Sequence, residues 1–490
     1  MNLKLIFIYL GLLSTELLIA QNQITELSLK QVIEMARMES PDAQTARHSF
    51  RSAYWNNKYY RANYLPSLSL TSDPNLNRAI NKITMGDGSV KFVEQNLLNT
   101  DLTLNLSQNL SWTGGSFFLE TSAQRMDLFS EHKYSWQTSP IMIGYRQSLF
   151  GYNSLKWDRR IEPVRYQEAK KSYVETLELV SANAIHKFFA LATAQSDYDI
   201  ASFNYANADT LYRYAQGRYN IGTITENEML QLELNRLTEE TNRMNALIEM
   251  DNCMQELRSY LGIHEDRELR VLVSPQVPDF SVNLNEALAL AYENSPDIQT
   301  MERRKLESES AVAKARANAG LKADIYLRFG LTQTADKLPE AYRNLLDQQY
   351  VSIGISLPIL DWGRGKGQVR VARSNRDLVY TQVEQSRTDF ELNVRKLVKQ
   401  FNLQTQRVRI AARTDETAQR RSEVARKLYL LGKSTILDLN ASISEKDSAR
   451  RNYISALYNY WSLYYTLRSM TLYDFERNTM LTEDYHLLIE

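Results

Sequence analysis

The sequence predicts a mainly helical, internally duplicated chain in which two long helical hairpins alternate with blocks of strands. Three observations carry this. First, long stretches are free of helix breakers: no Gly or Pro occurs from Val164 to Gln216, Thr223 to Leu261, Gln368 to Leu431, or after Gly432. Gly loses the most backbone entropy on folding and Pro lacks an N–H, so both interrupt helices. Breaker-free arms of about 40–60 residues would run on the order of 60–90 Å at 1.5 Å per residue. Second, each pair of arms is joined by a glycine turn, Arg218-Tyr-Asn-Ile-Gly222-Thr-Ile-Thr225-Glu-Asn-Glu228 and Leu428-Tyr-Leu-Leu-Gly432-Lys-Ser-Thr435-Ile-Leu-Asp438. Third, text recurs at fixed offsets, and an internal duplication governs architecture ahead of any local motif.

The N-terminus reads as a secretory signal. Lys4 supplies the positive region and Leu5 to Leu13 the apolar one, and cleavage after Ala20 would leave Gln21 first, although Leu18 is larger than the small residue preferred at its position. No cysteine follows closely enough for lipid attachment, and the single Cys253 excludes an intramolecular disulfide. No later run of about 20 apolar residues occurs, so any membrane span must be built from strands. Basic and acidic residues number 58 each, which implies no overall pull toward nucleic acid.

Leu29 to about Tyr64 reads as a helix, with Leu29, Val32, Ile33 and Ala36 at helical spacing and an interruption at Ser40-Pro41-Asp42. Leu284, Ala291 and Ser295-Pro296-Asp297 repeat this 255 residues later, as Arg316-Ala317-Asn318 repeats Arg61-Ala62-Asn63. Ile143-Gly144, Gly222 and Leu257-Arg258-Ser259 return after 210 residues as Ile353-Gly354, Gly432 and Leu467-Arg468-Ser469. The hairpins are therefore equal in length, and the 45-residue difference lies in the first strand block. The layout is a signal over 1–20 and a first repeat over 21–261, with an ascending helix 29–64, strands and an enlarged outer loop 65–150, and a hairpin 154–261 turning at 217–224. A linker spans 262–282, with a strand candidate at Leu269 to Val273. The second repeat spans 283–490, with a helix 283–320, strands 321–360, a hairpin 366–470 turning at 430–435, and a C-terminal tail.

In the first strand block, Tyr64 to Leu70 begins an alternating strand and Asp73 to Asn99 reads as a polar, turn-rich interval. Leu102, Leu104 and Leu106 alternate cleanly before a Gly114-Gly115 turn and Ser116 to Glu120, and Pro140 to Tyr145 closes the block. In the second, Ile325, Leu327, Phe329 and Leu331, then Val351, Ile353, Ile355 and Leu357, alternate with small or polar residues. Such strands suit the wall of a membrane barrel and equally a soluble antiparallel sheet with one wet face. In the last hairpin Phe390, Val394, Leu397, Phe401, Gln404, Val408 and Ala411 step by four and three, the spacing of a coiled-coil seam. Trp55, Tyr59, Tyr60 and Tyr64 going into the strands, and Tyr152, Trp157 and Trp362 coming out, crowd the helix–strand junctions. Amphipathic rings favour a membrane–water interface, while core packing explains any one of them.

The duplicated helix–strand–helix order, the Ser-Pro-Asp near each repeat start, the two Tyr-x-x-Gly turns, and the turns Leu149-Phe150-Gly151-Tyr152-Asn153 and Ile359-Leu360-Asp361-Trp362-Gly363 together resemble the TolC-like outer-membrane efflux and secretion channels. The resemblance implies a homotrimer in the outer membrane. Each protomer would give four strands to a shared transmembrane β-barrel and its helices to an α-barrel tunnel in the periplasm. It also implies docking of a periplasmic adaptor and an inner-membrane pump at the helical tips. The family's first strand pair is usually simple, so the additional hairpin over Leu102 to Gln124 is expected to extend the extracellular rim.

Asp438 matches the family's acidic constriction at the tunnel entrance, and Glu228 stands at the same distance from its glycine. Three-fold symmetry would ring an aperture with these carboxylates. Thr225-x-x-Glu228 and Thr435-x-x-Asp438 are also capping boxes, a reading compatible with the first. Tyr219 and Tyr429 resemble tip residues whose polar contacts hold the entrance closed, or simply pack; Lys433 is a cross-tip partner or a solvated charge. No cofactor site is legible: Lys427 stands where a phosphate loop requires glycine, and the five histidines are scattered. A conduit rather than an enzyme follows, with a pore-free periplasmic coiled-coil scaffold or adaptor as the alternative and an enzyme on a helical stalk as a weaker one.

Overall fold

The structure, a computed structural model, describes residues 25–264, 268–431, 433–486 and 488–489. The signal segment and Gly432 lie outside them. The chain divides into two compact units, one of Met1–Arg51, Ala169–Ile298 and Thr388–Glu490, the other of Ser52–Glu168 and Gln299–Arg387.

The same order of elements occurs twice. Strand β1 (Thr25–Ser28) leads into α1 (Leu29–Glu39) and α2 (Pro41–Ala62); strands β2 (Ser67–Thr71), β3 (Asn75–Thr84), β4 (Val90–Asn109), β5 (Ser116–Leu128) and β6 (Lys133–Leu149) follow, then α3 (Ser154–Asn220) and α4 (Glu226–Leu261). After β7 (Leu269–Leu272) come α5 (Leu284–Asn294), α6 (Pro296–Ala319), β8 (Lys322–Ala335), β9 (Leu346–Ser356), α7 (Arg364–Asn402), α8 (Gln404–Leu430), α9 (Ile436–Thr471) and a short β10–β11 pair, Tyr473–Asp474 with Thr479–Met480. The two Ser-Pro-Asp sites explain the paired short and long helices. Proline clashes with a helical residue before it, so Ser40 and Ser295 are extended (ψ 148° and 135°), while Pro41 and Pro296 suit a first helical position where no N–H is required.

In the first unit, β1 pairs in parallel with β7, Thr25 opposite Leu269. The core lies where α3, α4, α7 and α9 meet: Phe188, Leu257, Leu261, Phe401, Tyr460 and Tyr464 are almost wholly buried. The seam residues Phe390, Val394, Leu397, Phe401, Gln404 and Val408 are all buried even though the helix breaks at Leu403 between α7 and α8. Phe401 stacks on Tyr464 at 5.8 Å between ring centroids. One charged cluster is sealed inside. Glu178, fully buried on α3, accepts from Arg37 of α1 at 2.7 Å and from Arg468 of α9 at 2.7 and 3.1 Å; Arg468 also reaches Asp474, and Arg37 reaches Glu483. The cluster ties three helices and the C-terminal tail to one carboxylate.

The second unit carries one antiparallel sheet in the order β2–β4–β5–β6–β8–β9, with β3 continuing beyond β2 along β4. Two expectations are corrected here. The interval Asp73 to Asn99 is a β-hairpin, β3 with the first half of β4, paired from Asn75↔Asn99 to Thr84↔Val90. The hairpin over Leu102 to Gln124 is not a rim extension: β4 and β5 lie inside the sheet, between β2 and β6, so the sheet is six strands wide where the resemblance implied four. The loop between them turns at the same sheet end as the helix junctions. Gln108 Nε2 donates to Tyr64 O (2.9 Å), Asn109 Nδ2 to Asn63 O (3.0 Å), and Asn153 Nδ2 to Ser111 O (3.0 Å).

Candidate functional site

The two hairpin tips are built alike. At the first, Gly222 takes φ +71° while its N–H donates to Tyr219 O (2.8 Å) and Thr223 N–H donates to Arg218 O (2.9 Å), the paired bonds of a glycine-terminated helix. A Cβ on Gly222 would meet nothing within 4 Å, so glycine serves the left-handed backbone and not a close approach. At the second tip, Lys433 N–H donates to Leu428 O (2.9 Å), the matching outer bond.

Each descending helix then starts in a complete capping box. Glu228 N–H donates to Thr225 Oγ1 (3.3 Å) and Thr225 N–H to Glu228 Oε2 (3.1 Å). Asp438 N–H donates to Thr435 Oγ1 (3.2 Å), while Thr435 N–H (3.4 Å) and its hydroxyl (2.7 Å) donate to Asp438 Oδ2. Ser434 Oγ adds a fourth contact at 3.4 Å. Hydrogen bonds from Thr435, then Ser434 and the charge of Arg421, hold the Asp438 carboxyl below its usual range. Both acids are exposed, and each is held by its own hairpin. They are therefore oriented charges facing water, and capping leaves that intact. Tyr219 is 39 % exposed on the last turn of α3. Tyr429 is half-buried on α8 and lines a cavity of about 1820 Å³ bounded by α3, α4, α8, α9 and β7. Lys433 is exposed. Arg421 pairs with Glu445 and bridges α8 to α9 near the tip.

The aromatic residues occupy three of the four helix–strand junctions of the second unit, in different ways. Trp55, Tyr59 and Trp362 are exposed, Trp362 by 90 %. Tyr60 meets Tyr64 edge-on at 5.1 Å, and Tyr64 Oη donates to Leu155 O (2.9 Å), clamping α2's end to α3's start. Tyr152 Oη shares a hydrogen bond with Ser310 Oγ (2.6 Å), and the Arg160 guanidinium stacks on Trp157 at 4.9 Å. In both strand-to-helix turns an aromatic residue, Phe150 or Trp362, takes a positive φ (59° and 53°). Sequence reasoning had no signal for that strain.

The sheet itself holds what sequence reasoning saw only in part. On one face the ladder partners Leu68, Leu106, Leu119, Ile143 and Phe329 follow one another across five strands, and the next row runs Phe117, Tyr145, Leu327 and Val351. The opposite face carries Thr103, Asn105, Ser107, Glu120, Ser352 and Ser356, with Arg328 reaching Glu120 at 3.4 Å. Phe118 on this face covers Gly144, where a Cβ would collide with the ring, and stacks on Tyr326 at 5.8 Å. No helix among the described residues is long and apolar enough to cross a membrane, and no cluster of potential metal ligands occurs among them.

This order of elements, paired helices, strands and long helical hairpins in duplicate, has counterparts among solved outer-membrane channel structures. The CmeC outer membrane channel of Campylobacter jejuni superposes with a TM-score of 0.67 at 15 % identity, covering 94 % of this chain and 88 % of that one. The outer membrane protein VceC of Vibrio cholerae gives 0.64 at 15 %, covering 90 % and 95 %. At this identity the likeness shows the fold. No curated protein sequence matches the chain. Residues 287–471 match the family profile described as outer membrane efflux protein.

Proposed function

We propose that the protein is the exit duct of a tripartite efflux or type I secretion system. Three copies close a shared transmembrane barrel with their sheets and a periplasmic tunnel with their helical hairpins, after removal of residues 1–20. Each copy is two repeats, 21–261 and 283–490, joined by the linker 262–282. An inner-membrane pump supplies the energy and a periplasmic adaptor links it to the tips, where the cavity beside Tyr429 offers a seat. Adaptor binding splays the hairpins about Gly222 and Gly432 and widens a ring made by Asp438 and Glu228, with Tyr219, Tyr429 and Lys433 as closing contacts. Trp55, Tyr59, Tyr60, Tyr64, Tyr152, Trp157 and Trp362 form the girdle on the periplasmic side of the bilayer.

The observation that carries this reading is the continuous apolar sheet face. Its leucines and isoleucines are exposed, as in Ile353 at 62 % and Leu68 at 66 %, and only lipid covers such a face in a channel of this family. The test is extraction of outer membranes. A barrel resists carbonate and high salt and migrates in a heat-modifiable form, whereas release by either wash would mark a peripheral scaffold and refute the duct.

A further inference from the structure

We infer that each copy places six strands in the bilayer, so that three copies close a barrel of eighteen strands whose bore is wider than four strands per copy would give. This rests on the duct reading above. Four observations support it. First, β4 and β5 are internal to the sheet, paired over thirteen positions from Leu97↔Leu128 to Asn109↔Ser116. Second, the end of β4 and the loop after it are bonded to the segments that follow α2 and precede α3, Gln108 to Tyr64, Asn109 to Asn63 and Ser111 to Asn153, so the strands run the height of the sheet and do not stand above it. Third, their apolar residues share ladder rows with the other strands: Leu106 and Leu119 fall between Leu68 and Ile143. A hairpin reaching into water has no reason to keep that register, because a one-residue slip would turn its leucines to the opposite face.

Fourth, the sheet's two edges can join. Strand β2 runs away from its helix and β9 runs toward its own, so an edge of one copy meets the edge of the next in antiparallel sense. An open edge in hydrocarbon leaves backbone groups unsatisfied, and a head-to-tail ring removes every edge. With strands about 4.8 Å apart and tilted by about 40°, eighteen strands give a backbone diameter of about 36 Å, against about 24 Å for twelve. The cross-section is then roughly twice as large, which suits bulkier solutes or an unfolding chain over small drugs alone.

The experiment uses the full-length protein in a Cys253→Ser background, with single cysteines carrying an environment-sensitive fluorophore, reconstituted into vesicles with and without brominated phosphatidylcholine. Ile143→Cys and Ile353→Cys, on β6 and β9, are the references, and Asn105→Cys reports the opposite face. The inference predicts that Leu104→Cys and Leu119→Cys are quenched as strongly as the references, that Asn105→Cys is not, and that native mass spectrometry gives three copies. Quenching at Ile143 and Ile353 without quenching at Leu104 and Leu119 overturns the six-strand count and leaves the duct standing. A copy number other than three overturns the eighteen. Absence of quenching at all of the sites overturns the duct reading with it.

Discussion

Glu178→Gln tests how the helices and the C-terminal tail are held together. Removing one partner of a buried ion pair costs about 3–5 kcal/mol, because the remaining charge is left without compensation. Here Arg37 keeps Glu483 at 2.6 Å and Arg468 keeps Asp474 at 2.9 Å, which puts the loss near the lower end, about 3 kcal/mol. Glutamine preserves the volume, so no cavity adds to the figure. The loss falls on local opening of the tail and of the turns around Arg37 and Arg468. At about 1.4 kcal/mol per tenfold, amide exchange there accelerates by roughly a hundredfold. Hydrogen–deuterium exchange of the detergent-extracted protein reads this directly, with Glu34→Gln as the control: its partner Lys30 is 78 % exposed, and such pairs contribute about 0–1 kcal/mol. Acceleration of less than about threefold for Glu178→Gln, matching the control, would refute the cluster as a clamp.

Further outcomes follow from the same geometry. Replacing Asp438 and Glu228 together by alanine lowers cation selectivity in planar bilayers; if the acids act only as caps, selectivity stays and thermal stability alone falls. Thr225→Ala, which removes the cap and keeps the acid, lowers stability by about 1 kcal/mol with selectivity unchanged, measured by thermal melting beside conductance. Burial, and after it the Asp297 charge, pushes the Glu175 carboxyl up to about 7. An acid so raised keeps its proton in the folded state where the unfolded chain has lost it, so stability falls as pH rises from 4.5 to about 7. Glu175→Gln therefore raises the melting temperature at pH 8, by the equivalent of about 2–3 kcal/mol, and leaves it unchanged at pH 4; an equal shift at both would contradict the assignment.

The helical elements and both caps were readable because their signals are local. An arm such as α3 declares itself by lacking breakers up to Gly217, apart from Pro163 near its start, and Thr-x-x-Glu or Thr-x-x-Asp states a cap within four residues. The β3–β4 hairpin was opaque for the opposite reason. Asn75, Asn77, Arg78, Asn81 and Lys82 put polar groups on both faces, so no period of two survives to mark a strand. The placement of β4 and β5 needed register: Leu102, Leu104 and Leu106 announce a strand, but which strand lies beside it is a non-local matter. The same holds for β1 with β7, four residues each, and for Arg37, Glu178 and Arg468, which long stretches of chain separate. At the tips the sequence offered two roles for the same acids, and the hydrogen bonds establish the cap while leaving the charge turned to water.

The central claim is that this chain forms a continuous aqueous path. Single-channel recording in a planar bilayer tests it most directly, with the detergent-extracted wild type beside the Asp438→Ala, Glu228→Ala variant and insertion shown independently by protease protection. The account predicts discrete conductance steps, larger in the variant. Silence from both inserted proteins would contradict it.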